Sequence, residues 1–230
     1  MPKFRPEVLF EDNHLLVVNK PAGWLTQGDR SGDQPLREAL MSWIKVRDAK
    51  PGRVFLHPVH RLDRPVSGCL IFSKTSKSLS RMTQLFKRKA VDKHYSAICT
   101  LTSGSRKVGT HYVIDGYIKK HSRRNIVEHR KKPFEGAKHA QTEVELVRTL
   151  DGYYLFACKP LTGRSHQIRV QLSSIGYPIV GDLKYGGIKH DPGSILLHST
   201  SCRFIHPVRK TELHVEAPFP NDPLWSKMQR

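Results

Sequence analysis

The chain has 230 residues and carries 39 lysines and arginines against 20 aspartates and glutamates, which gives a formal charge of +19 and a pI near 10.0. Hydrophobic residues form 38% of it, which is enough apolar surface to offset chain entropy and excludes wholesale disorder. The excess of cations indicates a polyphosphate partner or an anionic membrane face.

Strand-like runs separated by glycine and proline dominate the chain. We predict strands at residues 15–19, 68–73 and 95–101. The helical spacing of apolar residues predicts helices at residues 35–46 and 76–89, and the second of these is basic and amphipathic.

The middle of the chain contains its most basic segment, residues 119–138, with eight lysines and arginines. Because it has few large apolar residues, we expect an exposed loop or hairpin tip. Strands are predicted at residues 143–147 and 153–158. The Asp151-Gly152 pair between them is typical of a hairpin turn.

A helix is predicted at residues 166–175, with Ser165 as its N-cap and Gly176 just after its end. Two further strands, residues 195–205 and 212–216, are expected to pair antiparallel. The whole pattern is typical of the α+β class, with a mostly antiparallel mixed sheet flanked by helices.

Membrane insertion is disfavoured, because the longest aliphatic run, residues 15–18, is far shorter than the ~20 residues of a spanning helix. No apolar stretch follows the N-terminus, so no signal peptide is predicted. The cysteines form no CxxC pair, which predicts reduced, buried thiols in a cytoplasmic protein. They are Cys69, Cys99, Cys158 and Cys202.

No metal site is predicted from the histidines. His57 and His60 lie three residues apart, but Pro58 disfavours a helix between them. No nearby cysteine or acidic cluster completes a tetrahedral set of ligands.

The segment HRLDRPVSG, residues 60–68, places Asp63 between Arg61 and Arg64. Flanking guanidiniums favour the ionised carboxylate. Considered alone, the segment is also compatible with an ordinary surface ion pair in a turn.

The segment LTGRSHQIRVQL, residues 161–172, places a turn and a helix start after a strand. Backbone donors at a helix start suit a phosphate or carboxylate. Considered alone, the segment is also compatible with a capped helix that carries solvated arginines.

Together these segments resemble the RluA-type pseudouridine synthases. The first is similar to the family's HRLDxxTSG motif and the second to its TGRxHQIRxHL element. The resemblance covers about residues 8–220. Because the pattern begins within the first ten residues, we expect a single catalytic domain, residues 1–230, without an N-terminal S4 RNA-binding domain. Two further segments are similar to family motifs, namely KHYSA (93–97) to KxYxA and GDLKYG (181–186) to GDxxYG. Residues 136–142, 197–198 and 204–207 are similar to the remaining sequence landmarks of the family.

The sequence departs from the family pattern at three positions. Val66 stands where the family usually has threonine, Gln171 where it often has histidine, and Ser199 where alanine is common. The lost threonine hydroxyl removes one hydrogen-bonding group beside the catalytic loop.

The resemblance implies isomerisation of a uridine within RNA, without a cofactor or metal. It implies that Asp63 is the nucleophile, which attacks either C1′ of the ribose or C6 of the base. Arg169 is expected to pair with Asp63 and keep it ionised. Tyr95 is expected to stack on the uracil, and Arg61 to open the RNA stack or hold a phosphate.

The expected partner is ribosomal or transfer RNA, bound by a monomer. A catalytically silent RNA-binding protein and a uridine glycosidase are the alternatives, although no second suitable acid for a glycosidase is evident. Cationic surface would supply the phosphate contacts that compensate for extruding the uridine. The residues predicted to bind RNA are Arg123, Arg124, Arg130, Lys131 and Arg164.

Overall fold

The computed structural model describes residues 4–28, 32–102, 107–121, 125–191 and 193–229. No helix in these ranges is long and apolar enough to cross a membrane. The helices are α1 (Leu36–Arg47), α2 (Ser76–Lys87), α3 (Gln167–Ser174) and α4 (Pro223–Gln229), with a 3₁₀ turn at Leu183–Tyr185. The strands are β1 (Glu7–Glu11), β2 (Leu15–Lys20), β3 (His57–Pro58), β4 (Ser67–Ser73), β5 (Val91–Thr100), β6 (His111–His121), β7 (Ile126–Arg130), β8 (Lys138–Leu150), β9 (Tyr153–Pro160), β10 (Leu197–Ile205) and β11 (Glu212–Glu216).

The chain divides into two compact units. The first unit comprises Met1–Asp92 with Ser199–Pro218, and the second comprises Lys93–His198 with Phe219–Arg230. Helices accompany mostly antiparallel strands in both units, so the predicted α+β class is confirmed. The single catalytic domain stays a prediction.

In the first unit the strand order is β1-β2-β4-β10, with β3 paired to β4 and β11 paired to β10. All seven residues of β4 are buried. Helix α2 covers this sheet because Met82, Leu85 and Phe86 lie on its apolar face. Met82 packs in a core with Leu15 and Ile71.

In the second unit the strand order is β5-β9-β8-β6-β7. Asp151 and Gly152 join β8 to β9 with φ values of 51° and 76°, as the two positive-φ residues of a type I′ hairpin require. Val170 of α3 packs against Ala140 of β8. Trp225 of α4 belongs to a separate apolar cluster in the same unit.

Two predicted features are corrected by the structure. Of the two alternatives for residues 119–138, the open loop is wrong and the hairpin agrees with the structure, since the segment includes the end of β6, all of β7, which pairs antiparallel with β6, and the first residue of β8. The N-cap of α3 is His166, not Ser165, so the helix begins at Gln167. Gly176 follows the helix end with φ 87°, as predicted.

Candidate active site

Asp63 lies in the loop between β3 and β4 of the first unit, and the backbone of this loop is anchored on both sides of the acid. The Thr26 hydroxyl donates to the carbonyl of Leu62 at 2.9 Å and accepts from its N–H at 3.3 Å. The carbonyl of Asp63 accepts from the N–H of Val66 at 3.0 Å. The backbone that carries Asp63 is thus held in place before any substrate binds.

The loop enters β4 through Gly68, which has φ 112°. A Cβ at this position would collide with the backbone of Ser199 in the same unit. Only glycine satisfies both conditions, because it tolerates positive φ and allows the two backbones to approach closely. The close approach involves the backbone of Ser199, so the serine at this position does not disturb it.

A fully buried lysine lies beneath the Asp63 loop. Lys20, at the end of β2, is 0% exposed, and its ammonium donates to the carbonyls of Pro21 (2.9 Å), Trp24 (2.8 Å) and Arg64 (3.1 Å). Burial lowers the pKa of Lys20 to about 7, the charge of Asp63 opposes this shift, and Arg64 adds to it. Lys20 is not among the predicted site residues, although a lysine close behind the apolar run of residues 15–18 is a visible signal.

The two arginines that flank Asp63 differ in their surroundings. Arg64 pairs with Asp33 at 2.7 Å and donates from Nε to the carbonyl of Gly23 at 3.0 Å. Arg61 is exposed. Arg64 therefore stabilises the loop, and the carboxylate of Asp33 offsets part of its charge.

In the second unit, Arg169 forms a buried bidentate ion pair with Asp182. Nε donates to Oδ2 at 2.7 Å and Nη2 donates to Oδ1 at 2.8 Å, and the two side chains are 5% and 2% exposed. Two parallel hydrogen bonds fix the plane of a guanidinium as well as its position. Asp182 lies in the GDLKYG segment that resembles a family motif, but it has no predicted role. The predicted pairing of Arg169 with Asp63 stays a prediction.

The 3₁₀ turn after Asp182 connects α3 to the basic hairpin formed by β6 and β7. The Tyr185 hydroxyl accepts from the N–H of Val127 at 2.8 Å and lies 2.7 Å from Nδ1 of His166. The Tyr185 ring lies 5.2 Å from the guanidinium carbon of Arg169, within range of a cation–π interaction. Tyr185 therefore contacts the hairpin, the start of α3 and Arg169.

A hydrogen-bond network under α3 holds the TGR turn to β8. The Thr142 hydroxyl donates to the Gln171 side chain at 2.6 Å and accepts from that of Gln167 at 2.9 Å. Gln171 also donates to the carbonyls of Ile114 and Ala140 at 3.0 and 3.1 Å. The glutamine at position 171 therefore has a full set of partners, so this departure from the family pattern leaves no polar group unsatisfied.

Tyr95, the predicted stacking residue, lies on β5 opposite Cys158 of β9 and is 9% exposed. The described cysteines are all free and buried, as predicted, and burial raises the pKa of Cys158 well above its usual range.

Arg164 is exposed and donates from Nε to the carbonyl of His139 at 3.0 Å. The TGR turn thus presents a guanidinium that is already oriented.

The predicted RNA-binding residues of the hairpin are only partly within the described ranges. Arg123 and Arg124 lie outside them. Arg130 pairs with Glu128 at 2.6 Å and stacks over Phe134 at 4.4 Å, and Lys131 is exposed. Part of the positive charge at Arg130 is thus offset within the hairpin.

Histidines that could suggest a metal site have structural partners. His60 accepts from the N–H of Ile71 at 3.2 Å, and His57 packs on Phe55. A group of possible ligands occurs elsewhere, at His190, Asp191 and Asp222. Because Asp222 caps the start of α4 with one oxygen and contacts His190 at 2.9 Å with the other, this group has a structural explanation.

Residues 14–174 match the sequence profile of a family described as RNA pseudouridylate synthase. The chain is 32% identical over 218 residues to an uncharacterized RNA pseudouridine synthase of Bacillus subtilis, covering 94% of this chain and 69% of the relative. It is 30% identical over 240 residues to a tRNA pseudouridine synthase C of Vibrio parahaemolyticus, covering 96% and 93%. A ribosomal large subunit pseudouridine synthase C of Vibrio vulnificus is 32% identical over 218 residues, covering 92% of this chain and 65% of that relative.

Solved structures agree with these sequence matches. Human RNA pseudouridylate synthase domain containing 1 superposes with a TM-score of 0.75 at 25% identity, covering 96% of this chain and 86% of that one. Human RNA pseudouridylate synthase domain containing 4 has a TM-score of 0.74 at 22% identity, covering 94% of this chain and 89% of that one. At this identity the likeness supports the fold alone.

Proposed function

We infer the function of this chain from the family to which it belongs, the RNA pseudouridylate synthases. The chain is accordingly an isomerase that converts uridine in RNA into pseudouridine. In this reaction the C1′–N1 bond breaks and a C1′–C5 bond forms, while C5 loses a proton and N1 gains one. Substrate and product are isomers, so the reaction consumes no co-reactant.

We assign the nucleophile to Asp63. The anchored loop is the observation that supports this assignment, because Thr26 and Lys20 hold the backbone on either side of the acid. A single carboxylate suffices when the uracil never leaves the pocket. A glycosidase, in contrast, uses two carboxylates that flank the scissile bond.

Three further side chains support the reaction in this proposal. Arg169 keeps the catalytic carboxylate ionised, and its bidentate pair with Asp182 supports that role because the guanidinium is already oriented. Tyr95 stacks on the uracil. Arg61, which is exposed, holds a phosphate or opens the RNA stack.

The proposed substrate is a structured transfer or ribosomal RNA, the classes named for two of the relatives. Transfer RNA is the first to test, because the tRNA relative is matched over 93% of its length. The net charge of +19 supports binding to either. We further propose that the protein acts in the cytoplasm and that it is a monomer. Sedimentation at working concentration tests the monomeric state.

The deciding experiment incubates the protein with unmodified transfer and ribosomal RNA and then maps pseudouridine at nucleotide resolution. Formation of pseudouridine at defined positions supports the proposal. Binding without any product would identify a silent RNA-binding protein, and release of free uracil would identify a glycosidase.

Asp63→Asn is the matched variant in this experiment. The amide is nearly isosteric but is neither anionic nor a competent nucleophile, so product formation should be abolished while RNA affinity stays within a few-fold. Turnover above about 1% of wild type would contradict the assignment of Asp63.

A further inference from the structure

Helix α2 carries a row of cations along one side. Lys77, Arg81 and Arg88, the C-cap, are spaced i, i+4 and i+11, which places them on the same side of the helix. At 1.5 Å per residue the row extends about 16 Å. The opposite side packs into the core through Met82, so the row faces away from the apolar cluster.

Helix stability does not account for Lys77. The positive end of the helix dipole lies at the first turn, where an acidic residue stabilises and a cation destabilises by about 0.3–1 kcal/mol. The first turn of α2 contains no acidic residue and does contain Lys77. The cap is instead provided by Thr75 and Ser78, which exchange hydrogen bonds.

A tightly bonded turn extends this row of cations. Arg81 donates to the carbonyl of Pro207 at 3.1 Å, which joins α2 to the turn between β10 and β11. In that turn, Nδ1 of His206 accepts from the N–H groups of Val208 and Arg209 at 3.2 and 2.9 Å. The N–H of Lys210 bonds to the carbonyl of His206 at 3.1 Å. Arg209 and Lys210 are therefore presented by a fixed backbone.

The charges on this surface are mostly not neutralised. Among the described residues, Lys77, Arg88 and Lys210 have no ion pair, and Arg209 shares the buried carboxylate of Asp12 with His206. Arg47 and Lys74 of the same unit, in contrast, are both paired with Glu11. A row of cations without ion pairs, carried by a helix and a hydrogen-bonded turn, is complementary to a polyanion.

We propose that this surface, which we call the cationic ridge (Lys77, Arg81, Arg88, Arg209 and Lys210), is a second RNA-binding surface that holds backbone phosphates of the substrate. The proposal rests on the proposed function, because that function makes RNA the polyanion at hand. The ridge contributes affinity and takes no part in the chemical step. It is distinct from the basic hairpin of the second unit.

The test replaces the three cations without protein partners, in the variant Lys77→Gln, Arg88→Gln, Lys210→Gln. Affinity for unmodified tRNA and rRNA transcripts is measured by fluorescence anisotropy across a KCl series. Each lost phosphate contact should flatten the log–log salt slope by roughly 0.7–0.9, so the slope should fall by about 2–3. Affinity near 100 mM KCl should fall at least tenfold, while the rate at saturating RNA stays within about twofold of wild type.

The matched control removes the same charge elsewhere, in the variant Lys45→Gln, Lys107→Gln, Lys189→Gln. All three of these residues are exposed. An equal loss of slope in the control would overturn the proposal, because net charge would then explain the effect. Unchanged slope and affinity in the ridge variant would also overturn it, as expected if the ridge binds an acidic protein.

Failure of the proposed function gives a different result. Wild-type protein would then bind RNA without forming pseudouridine, and the salt slopes of the two variants would still decide whether the ridge binds RNA. Circular dichroism melting confirms that both variants are folded.

Discussion

Arg169 and Asp182 are joined by two hydrogen bonds, of 2.7 and 2.8 Å, in a site where both side chains are almost completely buried. Such a pair is costly to desolvate and contributes little net stability compared with apolar residues of similar size. Orientation explains the presence of this pair better than stability does. The carboxylate of Asp182 sets the plane of a guanidinium that we assign to catalysis.

Asp182→Asn should destabilise the protein by about 3–5 kcal/mol, because it leaves the buried charge of Arg169 without its counter-ion. Pseudouridine formation should fall as well. Urea denaturation and product mapping measure the two effects.

The double variant Arg169→Met, Asp182→Leu separates orientation from stability. Two apolar side chains should restore most of the unfolding free energy, but activity should stay lost. A stable and active double variant would contradict the catalytic role of Arg169. Arg169→Lys should recover only part of the activity, since a point charge replaces a planar fork.

Much of this site could not be read from the sequence because partner choice depends on tertiary structure. The motif spacing identified Asp63 and Arg169, and apolar periodicity located β2, β4, α1 and α2. No local pattern says which carboxylate Arg169 meets. The short elements β1, β7 and α4 were missed because they have too few residues to establish a period.

The predicted N-cap of α3 was wrong for a specific reason. Serine is a strong capping residue, so the sequence favours Ser165. His166 instead occupies the cap with a left-handed φ of 53°, and its side chain makes no capping bond to the helix. Its ring contacts Tyr185, a residue 19 positions later, so a tertiary contact outweighs the local preference.

Tyr185→Phe should uncouple the basic hairpin from α3. The ring stays over Arg169, but the buried N–H of Val127 loses its acceptor, at a cost of about 1–3 kcal/mol. We expect faster hydrogen exchange at Val127 and a lower single-turnover rate, with RNA affinity within a few-fold. Tyr117→Phe on β6 is the matched control, because no hydrogen bond of the Tyr117 hydroxyl occurs among the described residues. Equal effects of the two variants on exchange and rate would refute the coupling.

Lys20 should make stability depend on pH. Its pKa in the folded protein is about 7, below the ordinary value of about 10.4, because burial disfavours the ammonium. Between these values the unfolded chain binds a proton that the folded protein lacks, so stability increases as pH rises from 7 to 10. The difference in unfolding free energy between wild type and Lys20→Met should therefore grow in favour of wild type over that range. A difference that does not vary with pH would contradict this, and NMR titration of the Lys20 side chain gives the pKa directly.

The last prediction concerns residues 119–138, the basic segment that includes the end of β6 and all of β7. Replacing Arg123, Arg124, Arg130 and Lys131 by alanine should weaken RNA binding and flatten its salt dependence by roughly 0.7–0.9 per lost phosphate contact. Arg130 should contribute least, because Glu128 already offsets part of its charge at 2.6 Å. The rate at saturating RNA should change little, since these residues have no assigned role beside the nucleophile. Unchanged slope and affinity would make the segment a solvated hairpin that is soluble through its charge. A collapse of the saturated rate with intact binding would instead place one of these cations in the active site.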